Sequence, residues 1–445
     1  MTRSLLVLLV FLLVPAVQAE TRPFDVEDLV RLERVGDPQV SPDGRRIAYT
    51  LRETDMDGDR GVVGLWMVPA DGSRAPRRMT GPGASAVSPR WAPDGNSIYF
   101  LTSRSGSMQV WNLPLVGGEA MQVTDYPLGI GAFVVAPDGK RLALSLEVFL
   151  DCEDLDCSKA RLDERSSAKS SGVLHENLFV RHWDTWKDGR RAQLFVADIG
   201  ENGRAGTPRH LSAGLDADIP SKPFGGADEI AFSPDGAHIV FAARVEGAAE
   251  PWSTNLDLYR VAIEGDALPE NITADNPATD TNPVFSPDGR YLAWLAMSRA
   301  GFEADRYRIL LRDLRSGDTR EVAPDWDRSA HGLAFSRDGR SLFTWSDDVG
   351  HRRLFAIDVR SGAATAISGD GSIGGFSVGG DTVAYSRDHL GGPAQIHRSD
   401  LRGRGLRQLT SHNAERLADV AFGDYEQFSF AGADDTTVYG WIVKP

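Results

Sequence analysis

The chain has 445 residues, 41% of them apolar and 25% charged, a balance ordinary for a soluble globular protein. Acidic residues outnumber basic ones 63 to 48, a net charge of −15 that argues against nucleic acid or an anionic membrane surface as partner. The 46 glycines and 24 prolines suit a fold of many short strands and tight turns.

The chain opens on Thr2-Arg3, an apolar run from Leu5 to Val14, and the small-residue site Val17-Gln18-Ala19. This pattern predicts a signal peptide, residues 1–19, and a secreted or periplasmic protein. The apolar run is too short to span a bilayer, and no later segment would serve. Removing the single charge of Arg3 leaves 47 basic against 63 acidic residues, or −16. Residues 20–36 then form a lead-in, with a short amphipathic helix expected between Pro23 and Leu32.

From residue 37 one pattern recurs: Ser41-Pro42-Asp43-Gly44, Ala92-Pro93-Asp94-Gly95, Ala136-Pro137-Asp138-Gly139, Ser233-Pro234-Asp235-Gly236, Ser286-Pro287-Asp288-Gly289 and Ser336-Arg337-Asp338-Gly339. Proline pre-sets φ for the turn, aspartate bonds its own backbone, and glycine accepts a positive φ. Each turn precedes a β-branched or aromatic strand such as Ile47-Ala48-Tyr49 or Ile239-Val240-Phe241. A degenerate seventh copy runs Val378-Gly379-Gly380-Asp381 into Val383-Ala384-Tyr385. The turn aspartates at 43, 94, 138, 235, 288 and 338 are spaced by 51, 44, 97, 53 and 50 residues. About four strands per repeat predict an all-β fold, a seven-bladed β-propeller over 37–412.

The long step implies an insertion at about 151–191, rich in charge and serine. It begins with the chain's only cysteines, Cys152 and Cys157, which in an oxidising compartment read as a local disulfide. The acids around them lack a histidine or second cysteine pair, so neither metal nor cofactor is expected. Residues 413–445 leave the repeat rhythm. Two strands around Gly432-Ala433-Asp434-Asp435 read as a linker and the opening of a further domain.

The Pro-Asp-Gly blades, the inserted Leu178-Phe179-Val180-Arg181-His182-Trp183-Asp184-Thr185-Trp186 and the tail Gly440-Trp441-Ile442-Val443-Lys444-Pro445 together resemble the prolyl oligopeptidase family of serine peptidases. The likeness is to its acylaminoacyl-peptidase and dipeptidyl peptidase V-like branch. It implies a propeller gating access to an α/β-hydrolase domain whose Ser-Asp-His triad lies beyond Pro445. It therefore implies short peptides as substrates, and no hydrolysis by this chain alone. Arg181, His182, Trp183 and Asp184 are the candidate substrate-binding residues, Arg181 for a carboxylate and Asp184 for an amino terminus. The competing expectation is that Arg181 and Asp184 pair to brace the insertion while Trp183 and Trp186 pack on the propeller. Acidic residues Glu229, Glu246 and Glu250 are further candidates for a central cavity.

Gly375-Phe376-Ser377-Val378-Gly379 matches a nucleophile-elbow pattern, but a strand follows it where an elbow needs a helix, so Ser377 is expected to be structural. The histidines offer no base with a nucleophile in reach. The alternative function is a periplasmic scaffold similar to the Tol-system propeller, binding proteins without catalysis.

Overall fold

The computed structural model describes residues 21–444, apart from 176, 177 and 179; the expected leader, Phe179 and Pro445 lie outside the described residues. The described residues form mostly antiparallel strands with few helices. Five four-stranded sheets follow one another in chain order, and an eight-stranded sheet then divides into two similar halves. The halves, beginning at His331–Phe335 and Ser372–Gly379, are joined by a single parallel bridge between Arg352 and Ser372. Within every unit the first strand leads through its turn into the second, which hydrogen-bonds the third, which carries a short fourth.

Four of the turns share one hydrogen-bond pattern. The Ser41 hydroxyl donates to Asp43 Oδ1 at 2.6 Å and accepts from the Arg46 N–H at 2.9 Å. Ser233 with Asp235, Ser286 with Asp288 and Ser336 with Asp338 repeat the first bond at 2.5, 2.6 and 2.7 Å. That hydroxyl is the main reason Asp43, Asp235, Asp288 and Asp338 all lie below the usual carboxylate range. Gly236 closes the turn at φ 67° in open space, where a β-carbon would touch nothing. Gly236→Ala is therefore expected to cost about 1–2 kcal/mol from backbone conformation alone, read as a lower urea midpoint with an unchanged m-value.

Side chains of adjacent units interdigitate in separate clusters. One joins Ile47, Tyr49 and Leu51 of the first unit to Ala384 and Ile396 of the last. The succession of units therefore returns on itself. Among the described residues no strand is shared across this closure; hydrogen bonds link its two sides. The Val40 N–H donates to Ser377 Oγ at 2.8 Å, Thr382 Oγ1 to the Gly44 carbonyl at 2.9 Å, and Arg398 Nε to the Ala70 carbonyl at 3.0 Å. Gly379 permits the approach, since a β-carbon there would lie 2.5 Å from the Ser41 carbonyl. Ser377 is thus an acceptor on a strand, opposite Ala384.

The lead-in ends earlier than expected, because the first strand begins at Arg34, not after residue 36. A register shift between Gly36 and Gln39, with Asp37 at φ 43°, breaks the alternation that would have revealed it. The helix Val26–Arg31, α1, is capped by Asp25 in a capping box with Asp28. Arg22 and Pro23 pair in parallel with Val420 and Ala421, so the two ends of the described chain meet.

First strands run from this end toward the Pro-Asp-Gly turns and second strands run back. The connection between second and third strands therefore lies at the end where the lead-in and tail leave, and the insertion is such a connection, between Val148 and Arg191. The tail hairpin, Tyr425–Ala431 with Thr437–Val443, stands at the same end: Gln427 and Trp441 donate to the carbonyls of Val349 and Gly350. Among the described residues no helix is long and apolar enough to cross a membrane.

Candidate functional site

A cavity of about 920 Å³ opens on the axis enclosed by the units. First strands supply its wall: Asp37, Arg90, Phe133, Leu333 and Phe376 come from five different units. The insertion and the loop after Asp218 frame its mouth, through Trp186, Lys187, Asp188, Lys222 and Pro223. Arg90 donates to Asp37 at 2.9 Å inside the wall.

The described part of the insertion is held by contacts of its own residues. A disulfide joins Cys152 and Cys157, whose Cα atoms are 5.6 Å apart. Asp154 caps helix Leu155–Ser167, α2, accepting from the Cys157 N–H at 2.7 Å. Arg161 makes a two-toothed pair with Asp151 at 2.7 and 2.9 Å, and both Arg161 and Arg165 lie 4.6 Å from the Phe149 ring centre. A short hairpin follows, Arg181–His182 against Thr185–Trp186.

That hairpin corrects the bracing expectation. Arg181 donates to the Trp183 carbonyl and sits over the Trp186 ring, and among the described residues it makes no ion pair with Asp184. Trp183 and Trp186 do not pack down on the strands; they are 70% and 63% exposed. Trp183 and Asp184 form the two-residue turn at the tip, with Trp183 at φ 48°. The His182 and Trp183 rings stack at 4.7 Å, and Phe224, 76% exposed, meets them at 5.8 and 5.5 Å from the facing loop. Large rings exposed together at a cavity mouth provide contact area for an apolar ligand group.

Below this rim the two edges are tied by charge. Arg191 donates to Asp216 at 2.8 Å, Asp218 at 3.1 Å and Glu250 at 2.6 Å. Lys187 joins Glu250 at 3.0 Å, and Glu147 bridges Arg190 and Lys222. Burial would raise the Glu250 carboxyl, yet the hydrogen bonds and charges of Arg191 and Lys187 hold it below its usual range. Glu229, 6% exposed, lies behind the same loop. It accepts from the Ser221 N–H at 2.6 Å, the Ser221 hydroxyl at 2.8 Å and the Thr281 hydroxyl at 3.2 Å. Burial nevertheless pushes it up to about 7, with the charge of Asp228 adding.

Of the acids singled out from the sequence, Glu250 thus belongs to the mouth and Glu229 to its support, while Glu246 bonds Asn255 instead. Arg191, Asp218, Lys222 and Phe224 gave no signal in the sequence, because they converge only when the loop after residue 216 folds over the insertion. The arrangement can bind, and among the described residues it shows no hydrolytic couple. Ser212 lies 3.4 Å from His210, but its hydroxyl is fully buried and donates to Gln193. Among the described residues no three His, Cys, Asp or Glu are placed to hold a metal ion.

No family model matches the chain. It is 27% identical over 425 residues to dipeptidyl-peptidase 5 of Porphyromonas gingivalis, covering 94% of this chain and 60% of that protein. The chain thus spans about three-fifths of the length of the curated relatives it matches. Among solved structures, an acylaminoacyl peptidase in complex with Z-Gly-Gly-Phe-chloromethyl ketone superposes with a TM-score of 0.72 at 18% identity, over 95% of this chain and 60% of that one. The β-propeller domain of the Trilobed protease from Pyrococcus furiosus, described as having an open velcro topology, superposes with a TM-score of 0.58 at 15% identity, over 86% of this chain and 97% of that one. The solved structures show the β-propeller fold, and the sequence relatives relate the chain to the prolyl oligopeptidase family of peptidases.

Proposed function

We propose that residues 37–412 form a seven-bladed propeller that gates short peptides into a secreted serine peptidase of dipeptidyl- or aminopeptidase type. In this reading the catalytic triad is supplied by an α/β-hydrolase domain that residues 413–445 begin. The observation that carries it is positional. Trp186 in the cavity lining, Trp183 and Phe224 packed on His182 beside it, the axial cavity, the lead-in and the tail hairpin all lie at one end of the units. A hydrolase domain joined there would receive its substrates past that rim. Arg181, His182, Trp183 and Asp184 then act together as the tip that meets the peptide, with Trp183 making the apolar contact.

Peptide binding to the 445-residue chain tests this without any catalysis. Di- to tetrapeptides with apolar side chains are expected to quench tryptophan fluorescence saturably, and Trp183→Ala with Phe224→Ala to weaken binding about tenfold, the order expected for losing aromatic contact area. The same chain is expected to release nothing from dipeptidyl chromogenic substrates. Binding unaffected by the double substitution, or turnover by this chain, would sink the reading.

A further inference from the structure

The repeats provide an internal comparison at the junctions between units. In three units the third strand carries a glutamine at or near its start, Gln109, Gln193 and Gln395, and each glutamine works alike. The side-chain oxygen accepts the hydroxyl of Thr124, Ser212 or Thr410 at 2.7, 2.7 and 2.6 Å. The amide donates to carbonyls of the loop leaving the unit: Leu128 at 3.1 Å, Ala217 at 2.7 Å and His412 at 2.7 Å. Where a further unit follows, an apolar residue meets this junction, Ile130 at the start of the next first strand or Ile219 in the loop ahead of it, both buried.

The fourth unit changes both positions at once. Its counterpart of the glutamine is Asp257: the neighbouring Leu258 N–H donates to Thr273 Oγ1 at 2.9 Å, as the Val110 N–H donates to Thr124 Oγ1 at 2.9 Å. Its counterpart of Ile130 is Asp280, whose N–H donates to the Leu256 carbonyl at 2.7 Å, as that of Ile130 donates to Met108 at 2.9 Å. Asp257 is 8% exposed and Asp280 fully buried. Asp280 accepts from Trp294 Nε1 at 2.6 Å and Asn276 Nδ2 at 3.0 Å. Asp257 accepts from Asn271 Nδ2 at 2.8 Å through one oxygen, while the other is buried without a partner.

Groups facing the pair are Glu246 from the loop before Asp257, Tyr259 on the same strand and Thr273 from the outer edge, and the charge of Asp257 acts on Asp280; the largest influences on the two carboxyls come from no Lys, Arg or His. Two acids have replaced an amide donor and an aliphatic side chain, and an ionised carboxylate cannot donate as the glutamine does. Two buried like charges without a cation are also costly.

We propose that Asp257 and Asp280 titrate as one pair that holds a proton while the junction between the fourth and fifth units is closed, and that losing this proton loosens the junction. Burial raises both carboxyls, Asp280 to about 6. For acids raised on folding, the stabilising contribution is complete below the ordinary aspartate range, about 4, and is lost as pH rises through the folded value. The loop between His238–Ala243 and Asp257–Ala262 carries Glu250 to Arg191 and Lys187. Opening the junction therefore slackens one anchor of the cavity mouth.

Hydrogen exchange of the whole chain at pH 5 and pH 7.5, with intrinsic rates divided out, tests this. Peptides covering 244–258 and 273–282 are expected to lose on the order of tenfold protection at the higher pH. Asp257→Gln, which restores the residue of the sibling units, is expected to abolish that loss and to raise Tm at pH 7.5. Glu229, which bonds Thr281 beside Asp280, titrates in both proteins, so the comparison removes its contribution. Should Asp257→Gln not fold, Asp280→Asn serves in the same comparison. An equal loss of protection in the variant would overturn the proposal. So would a rise in wild-type Tm with calcium at pH 7.5 that Asp257→Gln removes, since the pair would then be a cation site.

Discussion

Arg191→Ala is expected to destabilise the protein by about 3–5 kcal/mol, the range for deleting one partner of a buried ion pair. The guanidinium is the common partner of Asp216, Asp218 and Glu250, and the side chains of Asp218 and Glu250 are only 4% and 11% exposed. Removing it leaves two sheltered carboxylates whose remaining cations are Lys187 and Lys222, 3.7 Å from Asp218 in each case. Arg191→Lys keeps the charge but cannot reach three acids at once, so an intermediate loss is expected. Urea unfolding measures both. A loss under about 1 kcal/mol for Arg191→Ala would mean that the mouth network adds nothing beyond an exposed pair.

Glu229→Ala is the second large effect, expected at about 2–4 kcal/mol. It orphans the Ser221 N–H and two hydroxyls on residues that are largely buried, and each such loss costs about 1–3 kcal/mol unless the loop relaxes. Glu229→Gln separates charge from shape. Because burial raises the folded Glu229 to about 7, its contribution is complete below the ordinary glutamate range and declines as pH rises through 7. Relative to Glu229→Gln, the wild type is therefore expected to lose stability between pH 6 and pH 8. A wild-type-minus-variant difference that stays flat over that window would show that Glu229 is already ionised at pH 6. The titration matters for the mouth because Ser221 lies in the loop that brings Lys222 and Phe224 to the rim.

Much of the scaffold was legible because its cause is local. The Ser-Pro-Asp-Gly turns are decided within six residues, as the Ser41, Asp43 and Arg46 bonds show. The aromatic or aliphatic third residue after each turn strand begins, Tyr49, Phe100, Leu144 and Phe241, is fully buried because it packs in an apolar cluster with the preceding unit. The irregular first strand was less legible, since the shift at Asp37 moves its side chains off a strict alternation.

The mouth was barely legible. The four residues Arg181 to Asp184 stood out by composition, and the expected Arg181–Asp184 pair followed from their spacing alone. A tight hairpin turn separates those two side chains and turns the rings outward, which spacing does not reveal. Arg191 and Glu250 are 59 positions apart and Arg191 and Asp218 are 27 apart. No window of sequence contains both ends of such contacts.

The sequence by itself determined the repeat, its turns, the place of the insertion and the likeness to prolyl oligopeptidases, because each rests on short-range pattern. Only the tertiary structure decided what the insertion faces, which acids are buried together, and how the last unit meets the first. Those depend on loops of different units meeting around one axis, where burial, and not residue type, sets whether a carboxylate is a solvated surface group or a titrating support.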